Sequence, residues 1–476
     1  MKTQAKPKSS SKSTRPAAES PKPHIPAAIR YEKGKSLRTR CAREAHAIWK
    51  TPAKRVNTID LIRDSEKGRI PELLPLRHGR MMESPFTFYR AGAQIMAGDL
   101  VTTPNTGMRV QCCGDAHLSN FGGFATPERQ IIFSINDLDE TLQAPWEWDI
   151  KRLAASFVIA SRNNGLSDDV ARASAEEVTA SYRTHMEEFS GMRQLELWYH
   201  SISSDYLLSK LKDSDVRKRV IKRLEKARES HIAEDIFPKL TDSKGERRFI
   251  KDQLPTIFHW EGHSPGEVHE AVQVAFLKYR DTLNPAHKLL LDRYELVDAA
   301  IKVVGVGSVG TRCWVLLLMA EDKDPLFLQV KQSGPSVLEP FAGKSPYNNH
   351  GERVVNGYRI MQPASDIFLG WTRGRLGNDF YFRQLRDMKI KVMVETFGKA
   401  EMMIFAEWCG HALALAHARS GDSAMLSGYM GKSDTFDKAL GEFALAYADQ
   451  NEKDYEVFRK AVKSGKLKAV FEQEKD

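Results

Sequence analysis

The sequence predicts an α+β fold in which a mostly helical chain carries two short early strands and one small antiparallel sheet. Apolar residues recur at helical spacing over residues 35–100, from 149 to about 300, and over 392–417 and 434–462. Short apolar runs typical of strands occur at 108–112 and 130–135. Between 301 and 385 such runs follow one another closely, which indicates the sheet.

We expect four segments along the chain. Residues 1–30 are rich in Lys, Ser and Pro, with seven Lys or Arg and one acid, and are expected to form a disordered basic tail. Residues 31–300 are expected to form a large, mostly helical lobe with short strands. Residues 301–388 form a small β-rich lobe inserted into it, and 389–476 return as helix to the large lobe.

Composition excludes several classes of protein. With 41% hydrophobic and 28% charged residues over 476 positions, the chain is neither a collagen, a coiled coil nor a wholly disordered protein. The five cysteines are scattered and form no CxxC pair, which argues against a disulfide framework or a zinc site. We find no secretory signal and expect no membrane span and a cytoplasmic location.

The positive charge is concentrated in the tail. Of the net charge of +9, residues 1–30 contribute six. The tail is most simply a solvated segment, and weak contact with nucleic acid is the alternative. The charge therefore does not indicate that the folded part binds nucleic acid.

The first motif with chemical meaning lies in the loop Cys113–Gly122. Asp115 and Asn120 form the pattern D-x-x-x-x-N between the two early strands. In protein kinases an Asp at this spacing accepts the proton of the attacking hydroxyl, and the Asn binds Mg²⁺. His117 lies inside the loop and is expected to support it by packing rather than to bind a ligand.

The second motif follows the next strand. Asp137 and Asp139 come directly after the apolar run that ends at Ile135. Together with Asn120 they would supply oxygen ligands, which suit Mg²⁺ or Mn²⁺ and not zinc. An acidic strand-to-turn cap is the simpler alternative. Further on, Asp149 is a plausible N-cap of the helix that begins at Ile150, and we expect it to support the structure rather than to react.

The third motif is a G-x-G-x-x-G run at 305–310, which fits either a dinucleotide fold or a kinase phosphate loop. A dinucleotide site needs a helix next, but a strand-like run follows, which favours a hairpin. Lys331 then ends an apolar strand, as the lysine of a kinase does, and Glu352 is preferred to Glu339 as its partner. The candidate phosphate-binding residues are Gly305, Gly307, Ser308, Gly310 and Lys331.

With Gly114 and His117, the first loop resembles the GDxHxxN loop of aminoglycoside phosphotransferases and choline-kinase-like enzymes. This resemblance implies a protein-kinase-like two-lobe fold, with Asp149 supporting the backbone of the catalytic loop and 301–388 as the nucleotide-binding lobe. Because the glycine run follows the catalytic-type loop instead of preceding it, the order would be circularly permuted.

Longer runs resemble a bacterial family known as domain of unknown function 2252. They are Ser84–Arg90, Cys113–Gly122, Ile135–Glu140 and Ala144–Asp149. The family name implies no activity, so the functional expectation rests on the motifs.

We expect an ATP- and Mg²⁺-dependent phosphotransferase that acts on an unidentified hydroxyl acceptor, a small molecule rather than a protein. Asp115 would orient or deprotonate the acceptor, while Asn120 and Asp137, with Asp139 beside them, would hold the metal. Three alternatives stay open: a nucleotide-binding pseudokinase, a related protein that transfers AMP, and a metal-dependent phosphoesterase.

Overall fold

The computed structural model describes residues 25–229, 235–245, 247–260, 265–385, 388–390 and 392–472. Five helices open the chain: α1 (Ala27–Ser36), α2 (Thr58–Glu66), α3 (Leu74–Met82), α4 (Pro85–Ala91) and α5 (Ala93–Leu100). Helix α4 begins where it does because Ser84 and Thr87 form a capping box, each side chain accepting from the other's backbone N–H.

The next segment alternates strands and helices. Its first half comprises β1 (Arg109–Cys112), β2 (Phe121–Ala125), β3 (Ile131–Ile135), β4 (Leu142–Pro145), α6 (Glu147–Asn163), α7 (Asp168–Gly191), α8 (Gln194–Tyr199), β5 (Ile202–Ser203), α9 (Ser204–Lys210) and α10 (Ser214–Arg228). Its second half comprises α11 (Phe237–Leu240), β6 (Thr241–Lys244), β7 (Arg247–Ile250), β8 (Ile257–Phe258), α12 (Pro265–Arg280) and α13 (Pro285–Leu291).

The remaining elements build the main sheet and close the helical part. They are β9 (Glu295–Lys302), β10 (Cys313–Met319), β11 (Pro325–Ser333), α14 (Glu339–Ala342), α15 (His350–Met361), β12 (Gly370–Arg373), β13 (Asp379–Gln384), α16 (Lys399–Ala418), α17 (Ser423–Met430) and α18 (Thr435–Lys463). No helix within the described ranges has the length and apolar character needed to cross a membrane.

The helical part encloses the largest core. Helix α6 is buried at every position from Glu147 to Ser161 and packs against α7 and α18, while α16 packs against α7. Small residues allow close contact between these helices: a Cβ on Gly410 of α16 would lie 2.3 Å from the carbonyl oxygen of Val178 on α7. The apolar faces seen at helical spacing in the sequence thus pack together in one core.

The main sheet has six strands in the order β12-β13-β11-β10-β9-β8, and all neighbouring pairs are antiparallel. Lys331 lies near the end of β11, opposite Cys313 of β10 and Tyr381 of β13. Helix α15 crosses from β11 to β12 and packs on β12 and β13. A separate apolar core covers this sheet, in which Tyr279 of α12 stacks on Phe382 at 3.9 Å between ring centroids.

The early strands bring two chain connections together. In the antiparallel pair β1–β4, Cys112 lies opposite Leu142, and in the pair β2–β3, Phe121 lies opposite Ile135. The connections 113–120 and 136–141 therefore leave their strands at neighbouring points. These are the two connections that carry the candidate acids.

The mixed α+β class with small antiparallel sheets is confirmed, but some boundaries differ. The prediction that helix continues from 287 to 300 is wrong, because Glu295–Lys302 pairs as β9 between two other strands. The region 149–300 also contains the short strands β5 to β8, so the main sheet begins before residue 301. Helix returns at Lys399, after a connector, rather than at 392.

The prediction of disorder in the N-terminal tail is wrong for residues 27–30, which the structure describes as helix. Residues 27–30 belong to α1, which packs tightly on α17: a Cβ on Gly34 would lie 2.0 Å from the carbonyl oxygen of Met425. Arg30 also pairs with Asp422 at 2.6 Å. Residues 1–24 lie outside the described residues.

Candidate functional site

Gly114 sets the path of the first connection. Its φ is +82°, and a Cβ there would lie 2.3 Å from the carbonyl oxygen of Glu140. Only glycine combines this backbone conformation with so close an approach. Gly114 therefore places the loop that carries Asp115 directly against the connection that carries Asp137 and Asp139.

Asp149 holds the start of the same loop. Its carboxylate accepts the backbone N–H of Cys113 at 2.5 Å and of Gly114 at 2.9 Å. His417 of α16 lies 3.1 Å away through Nε2, and its Nδ1 is 2.9 Å from the Tyr182 hydroxyl. Asp149 thus contacts the loop in the manner expected of a support. It lies inside α6 and is not the N-cap, because the helix already begins at Glu147.

Asp149→Ala should lower the free energy of unfolding by about 2–6 kcal/mol, since two buried N–H groups would lose their acceptor at about 1–3 kcal/mol each. Asp149→Asn keeps one oxygen acceptor and should cost less. Urea denaturation of both variants measures the difference. Glu442→Ala, which removes an exposed ion pair with Arg172, is the control and should change little. Equal stability of Asp149→Ala and wild type would contradict the support role.

Asp115 is fixed by a buried arginine. Nε and Nη2 of Arg152 both contact Asp115 Oδ1, at 2.8 and 2.5 Å. Arg152 is itself held by Tyr89, whose ring lies 4.5 Å from the guanidinium carbon and whose carbonyl accepts from Nη2 at 3.2 Å. The Asp115 side chain keeps 23% of its surface exposed, and Oδ2 is the oxygen that Arg152 does not use. Asp115 is therefore oriented yet accessible to a polar ligand.

Asn120 and His117 occupy the rest of the loop. The Asn120 amide nitrogen donates to the Asp115 carbonyl at 2.9 Å, so its side-chain oxygen is the atom left to accept from a ligand or bind a cation. His117 is buried, with Nε2 3.9 Å from Asp115 Oδ2, and burial lowers its pKa to about 3. A neutral, buried ring fits the packing interpretation of His117.

Lys331 lies against the acids of the second connection. Its Nζ is 2.9 Å from Asp139 Oδ2 and 3.3 Å from Asp137 Oδ2, and Tyr381 donates its hydroxyl to Asp139 Oδ1 at 2.6 Å. Burial alone would lower the pKa of Lys331, but the two carboxylates outweigh it and raise that pKa. The cluster is thus an ammonium group shared by two acids at the end of β11.

The two acids are not equivalent. Burial would raise the pKa of Asp137, but Lys331 and Arg383 together hold it below its usual range. Burial and the neighbouring charge of Asp137 raise the pKa of Asp139. The negative charge of Asp137 is therefore stabilised by its cationic neighbours Lys331 and Arg383.

One carboxylate oxygen of the cluster, Asp137 Oδ1, is free to bind a cation or to accept a hydrogen bond from a ligand. Asp137 Oδ1 is buried and has no hydrogen-bond partner in the described part of the chain. A buried carboxylate oxygen left without a partner is costly. Carboxylate and amide oxygens, such as those of Asp137 and of Asn120 in the neighbouring connection, are the donors that suit Mg²⁺ or Mn²⁺. The residues present therefore fit the divalent cation expected from the sequence.

The glycine run forms the turn between β9 and β10. Gly305 and Gly310 have φ values of +60° and +87°, and the antiparallel pairing of the two strands makes this a hairpin. No helix follows, which excludes the dinucleotide alternative. Residues 69–80 hold the turn: Arg80 donates to the Gly305 carbonyl at 2.6 Å, and the Ile70 N–H donates to that of Gly310 at 2.7 Å. Gly307 and Ser308 lie between these fixed ends.

The model of a family described as "Uncharacterized protein conserved in bacteria (DUF2252)" matches residues 69–461. The chain belongs to this family. No curated protein and no solved structure matches the chain. The resemblance to this bacterial family that the sequence predicts is therefore confirmed. The family description assigns no activity.

The predicted pairing of Lys331 with Glu352 is wrong. Lys331 pairs with Asp137 and Asp139, while Glu352 lies in the first turn of α15, where its N–H donates to the cap Asn349. Neighbouring residues of a helix point in different directions, and it is Arg353 that faces the site. Glu339 is not the partner either: its carboxylate lies 3.8 Å from His350.

Two arginines that sequence reasoning missed hold the second connection. Arg353 donates to the carbonyls of Thr141 at 2.6 Å and Asp139 at 2.9 Å. Arg383 donates to the Asn136 carbonyl at 3.2 Å and the Tyr358 hydroxyl at 2.9 Å. The contacts of both arginines with the second connection link residues more than 200 positions apart, and the only local signal was the helical run beside Glu352.

The phosphoesterase alternative gains no support from metal-ligand geometry. In the described ranges, the group of His, Cys and acidic residues close enough to share one ion is Cys112, Asp149 and His417. These are buried, and Asp149 and His417 already have hydrogen-bond partners. The group does not include Asp115, His117, Asp137 or Asp139.

Glu140 adds a titrating group beside the acids. Its Oε2 accepts the Val337 N–H at 2.8 Å, which ties the second connection to the segment after β11. Burial raises the pKa of Glu140 from 4.5 to about 7, although the Arg353 guanidinium lowers it. The folded protein therefore binds this proton more tightly than the unfolded chain does.

Because its folded pKa is raised, Glu140 makes the free energy of unfolding fall as the pH rises from 4.5 to about 7. Glu140→Gln keeps an oxygen for Val337 and should remove that fall. At pH values below 4.5 the variant and wild type should have the same free energy of unfolding. At pH 8 the variant should be more stable by up to about 3 kcal/mol, since one pKa unit is about 1.4 kcal/mol. Denaturant unfolding across this pH range, with the exposed Glu442→Gln as control, measures it. A difference that does not depend on pH would contradict the prediction.

Proposed function

We propose that this protein is an ATP- and Mg²⁺-dependent phosphotransferase with a kinase-like arrangement of two lobes in permuted order. The observation that carries the proposal is the contact of Lys331 with Asp137 and Asp139, beside the loop of Asp115 and Asn120. Lysine, metal-binding acid and D-x-x-x-x-N loop are the parts that kinases assemble around ATP. They come from residues nearly 200 positions apart, so their meeting is not a local sequence effect.

The order of the main sheet supports the same proposal. Strands β9 and β10 are joined by the glycine turn, β11 carries the lysine, and α15 then crosses to β12 and β13. In kinases a glycine-rich loop precedes the strand of the lysine, and a helix beside that strand follows. Here the whole unit comes after the catalytic-type loop, as a circular permutation would place it.

The phosphates of ATP would lie between the glycine turn and Lys331. Cys313, three positions after Gly310, is the register partner of Lys331, so the turn and the ammonium group belong to the same end of the sheet. Backbone N–H groups of such turns and a lysine charge are suited to phosphate oxygens. The ammonium group would bind phosphate on one side while Asp137 and Asp139 keep it protonated on the other.

Asn120 and Asp137 would hold Mg²⁺, which supplies neutralisation of phosphate charge when bound. Asp115 would accept a hydrogen bond from the acceptor hydroxyl through Oδ2 and take its proton as phosphoryl transfer proceeds. Arg152 keeps the carboxylate oriented through Oδ1. Catalysis would then consist mainly of positioning and charge stabilisation.

The test is to incubate the protein with Mg²⁺ and ATP labelled at either the α- or the γ-phosphate. With water or an added alcohol as acceptor, the proposal expects ADP and transfer of the γ-label, and both should disappear in Asp115→Asn. Release of pyrophosphate with transfer of the α-label would assign AMP transfer instead. ATP binding without any turnover would assign a pseudokinase, and hydrolysis of phosphate esters without ATP would assign a phosphoesterase.

A further inference from the structure

A polar cavity of about 510 Å³ lies where four separate segments of the chain meet, one of them the glycine turn. Its walls come from the end of α3 and from α4, the end of α6, the glycine turn and the connector before α16. The residues that matter for its chemistry are Arg80, Glu83, Arg90, Asn163, Gly305 and Glu395. The volume is typical of a small-molecule site, and the polar walls suit a hydrophilic ligand.

Arg90 is the unusual group in this cavity, which we name the Arg90 pocket. Its Nε is buried and has no hydrogen-bond partner among the described residues, where Arg90 also forms no ion pair. Its guanidinium carbon lies 5.9 Å from the centre of the Phe86 ring. A buried guanidinium N–H without an acceptor is costly, and a ligand oxygen would satisfy it.

The walls of the Arg90 pocket are held in place. Ser84 and Thr87 form the capping box that starts α4, and Arg80 bonds both the Gly305 carbonyl and Glu472. On the opposite side, Asn164 donates to the Val394 and Phe397 carbonyls, which fixes the turn that carries Glu395. A cavity between fixed walls can bind a ligand without first ordering a loop.

Arg90 is linked to the Asp115 loop. Tyr89, the neighbour of Arg90, accepts from Arg152 through its carbonyl, and Arg152 binds Asp115. Arg90 also interacts electrostatically with Asp115 and with the buried His117 ring. The charge of a ligand bound at Arg90 would therefore be felt by the loop that carries the proposed acceptor-activating carboxylate.

We propose that the Arg90 pocket binds a small polyhydroxylated anion, with its phosphate or carboxylate group at Arg90 and its hydroxyls at Glu83 and Glu395. A guanidinium is the side chain best matched to such an anionic group, and carboxylates accept hydrogen bonds from hydroxyls. The further assignment of this ligand as the phosphoryl acceptor rests on the proposed function. The binding of the anion at Arg90 is independent of the proposed function.

The probes are glucose 6-phosphate for a phosphate source, gluconate for a carboxylate source, and glucose as the neutral comparison. Titration calorimetry on the full chain should show saturable binding of at least one anion and weaker binding of glucose. Arg90→Gln should weaken that binding about tenfold or more, since losing a charge-assisted hydrogen bond has about this effect. Arg172→Gln, which removes an exposed arginine paired with Glu442, should leave it unchanged.

A parallel titration with a non-hydrolysable ATP analogue separates the two proposals. Anion binding that depends on Arg90 in a protein that does not bind the analogue would refute the proposed function and keep the pocket. Absence of binding by either anion, or equal binding by Arg90→Gln, would overturn the pocket proposal. If Arg90→Gln does not fold, Arg90→Lys keeps the charge without the planar fork, and unchanged affinity in that variant would also overturn it.

Discussion

Asp115→Asn is expected to reduce phosphoryl transfer by about 10²–10⁴-fold, the usual contribution of a general base, while ATP affinity changes little. The amide cannot take a proton from the acceptor, but it keeps an oxygen for Arg152, which contacts Oδ1 at 2.8 and 2.5 Å. Since Lys331 and the glycine turn are untouched, nucleotide binding should persist. Initial rates of γ-phosphate release and calorimetric ATP titration measure the two quantities.

The choice of Asn matters because Arg152 is buried. Asp115→Ala would leave this guanidinium without its partner, and breaking such a buried pair costs about 3–5 kcal/mol of stability. Lost activity in the Ala variant would then have two explanations. The matched control is Asp168→Asn, an exposed acid at the start of α7 that pairs with Arg162 of α6. Full transfer activity in Asp115→Asn would rule out the role assigned to Asp115.

Lys331→Met is expected to weaken ATP binding by about 10–100-fold, because each charge-assisted hydrogen bond to phosphate contributes about 1.5–3 kcal/mol. Lys331 is only 3% exposed, and its ammonium group is held between the carboxylates of Asp137 and Asp139. The same change leaves Asp137 and Asp139 facing each other without the ammonium group between them. The free protein should therefore also lose stability, and millimolar Mg²⁺ should restore part of it by binding the two acids.

Two further variants make this prediction specific. Lys331→Arg keeps the positive charge and should retain part of the ATP affinity. Lys438→Met removes an exposed lysine paired with Asp434 and should change neither binding nor stability. An unchanged ATP dissociation constant in Lys331→Met would show that the lysine does not contact phosphate.

Local features of the sequence predicted the parts that depend on neighbouring residues. The strand before Asp137, the strand that ends near Lys331 and the hairpin at 305–310 all follow from short apolar runs and glycines. That these elements lie together in the fold could be predicted only from the spacing of the motifs. The contact of Lys331 with residues 137 and 139 is a long-range pairing that periodicity alone does not encode.

What sequence reasoning missed has physical reasons. The run from 287 to 300 looks helical because it is apolar and rich in Leu, but pairing with two neighbouring strands overrides local propensity from Glu295 onwards. Arg152 and Arg353 look like ordinary helical arginines, and only the fold shows that they bind Asp115 and the connection of Asp139. The sequence predicts a helix around Glu352, but the direction in which that side chain points from the helix cannot be read from the sequence pattern.

The most direct test of the central claim is calorimetric titration of ATP, with and without Mg²⁺, into wild type and Asp137→Asn. If Asp137 and Lys331 form a metal–nucleotide site, ATP should bind wild type in the presence of Mg²⁺, and this Mg²⁺ dependence should be lost or strongly reduced in Asp137→Asn. Absence of ATP binding at millimolar concentration, or equal binding with and without Mg²⁺ in both proteins, would contradict the account.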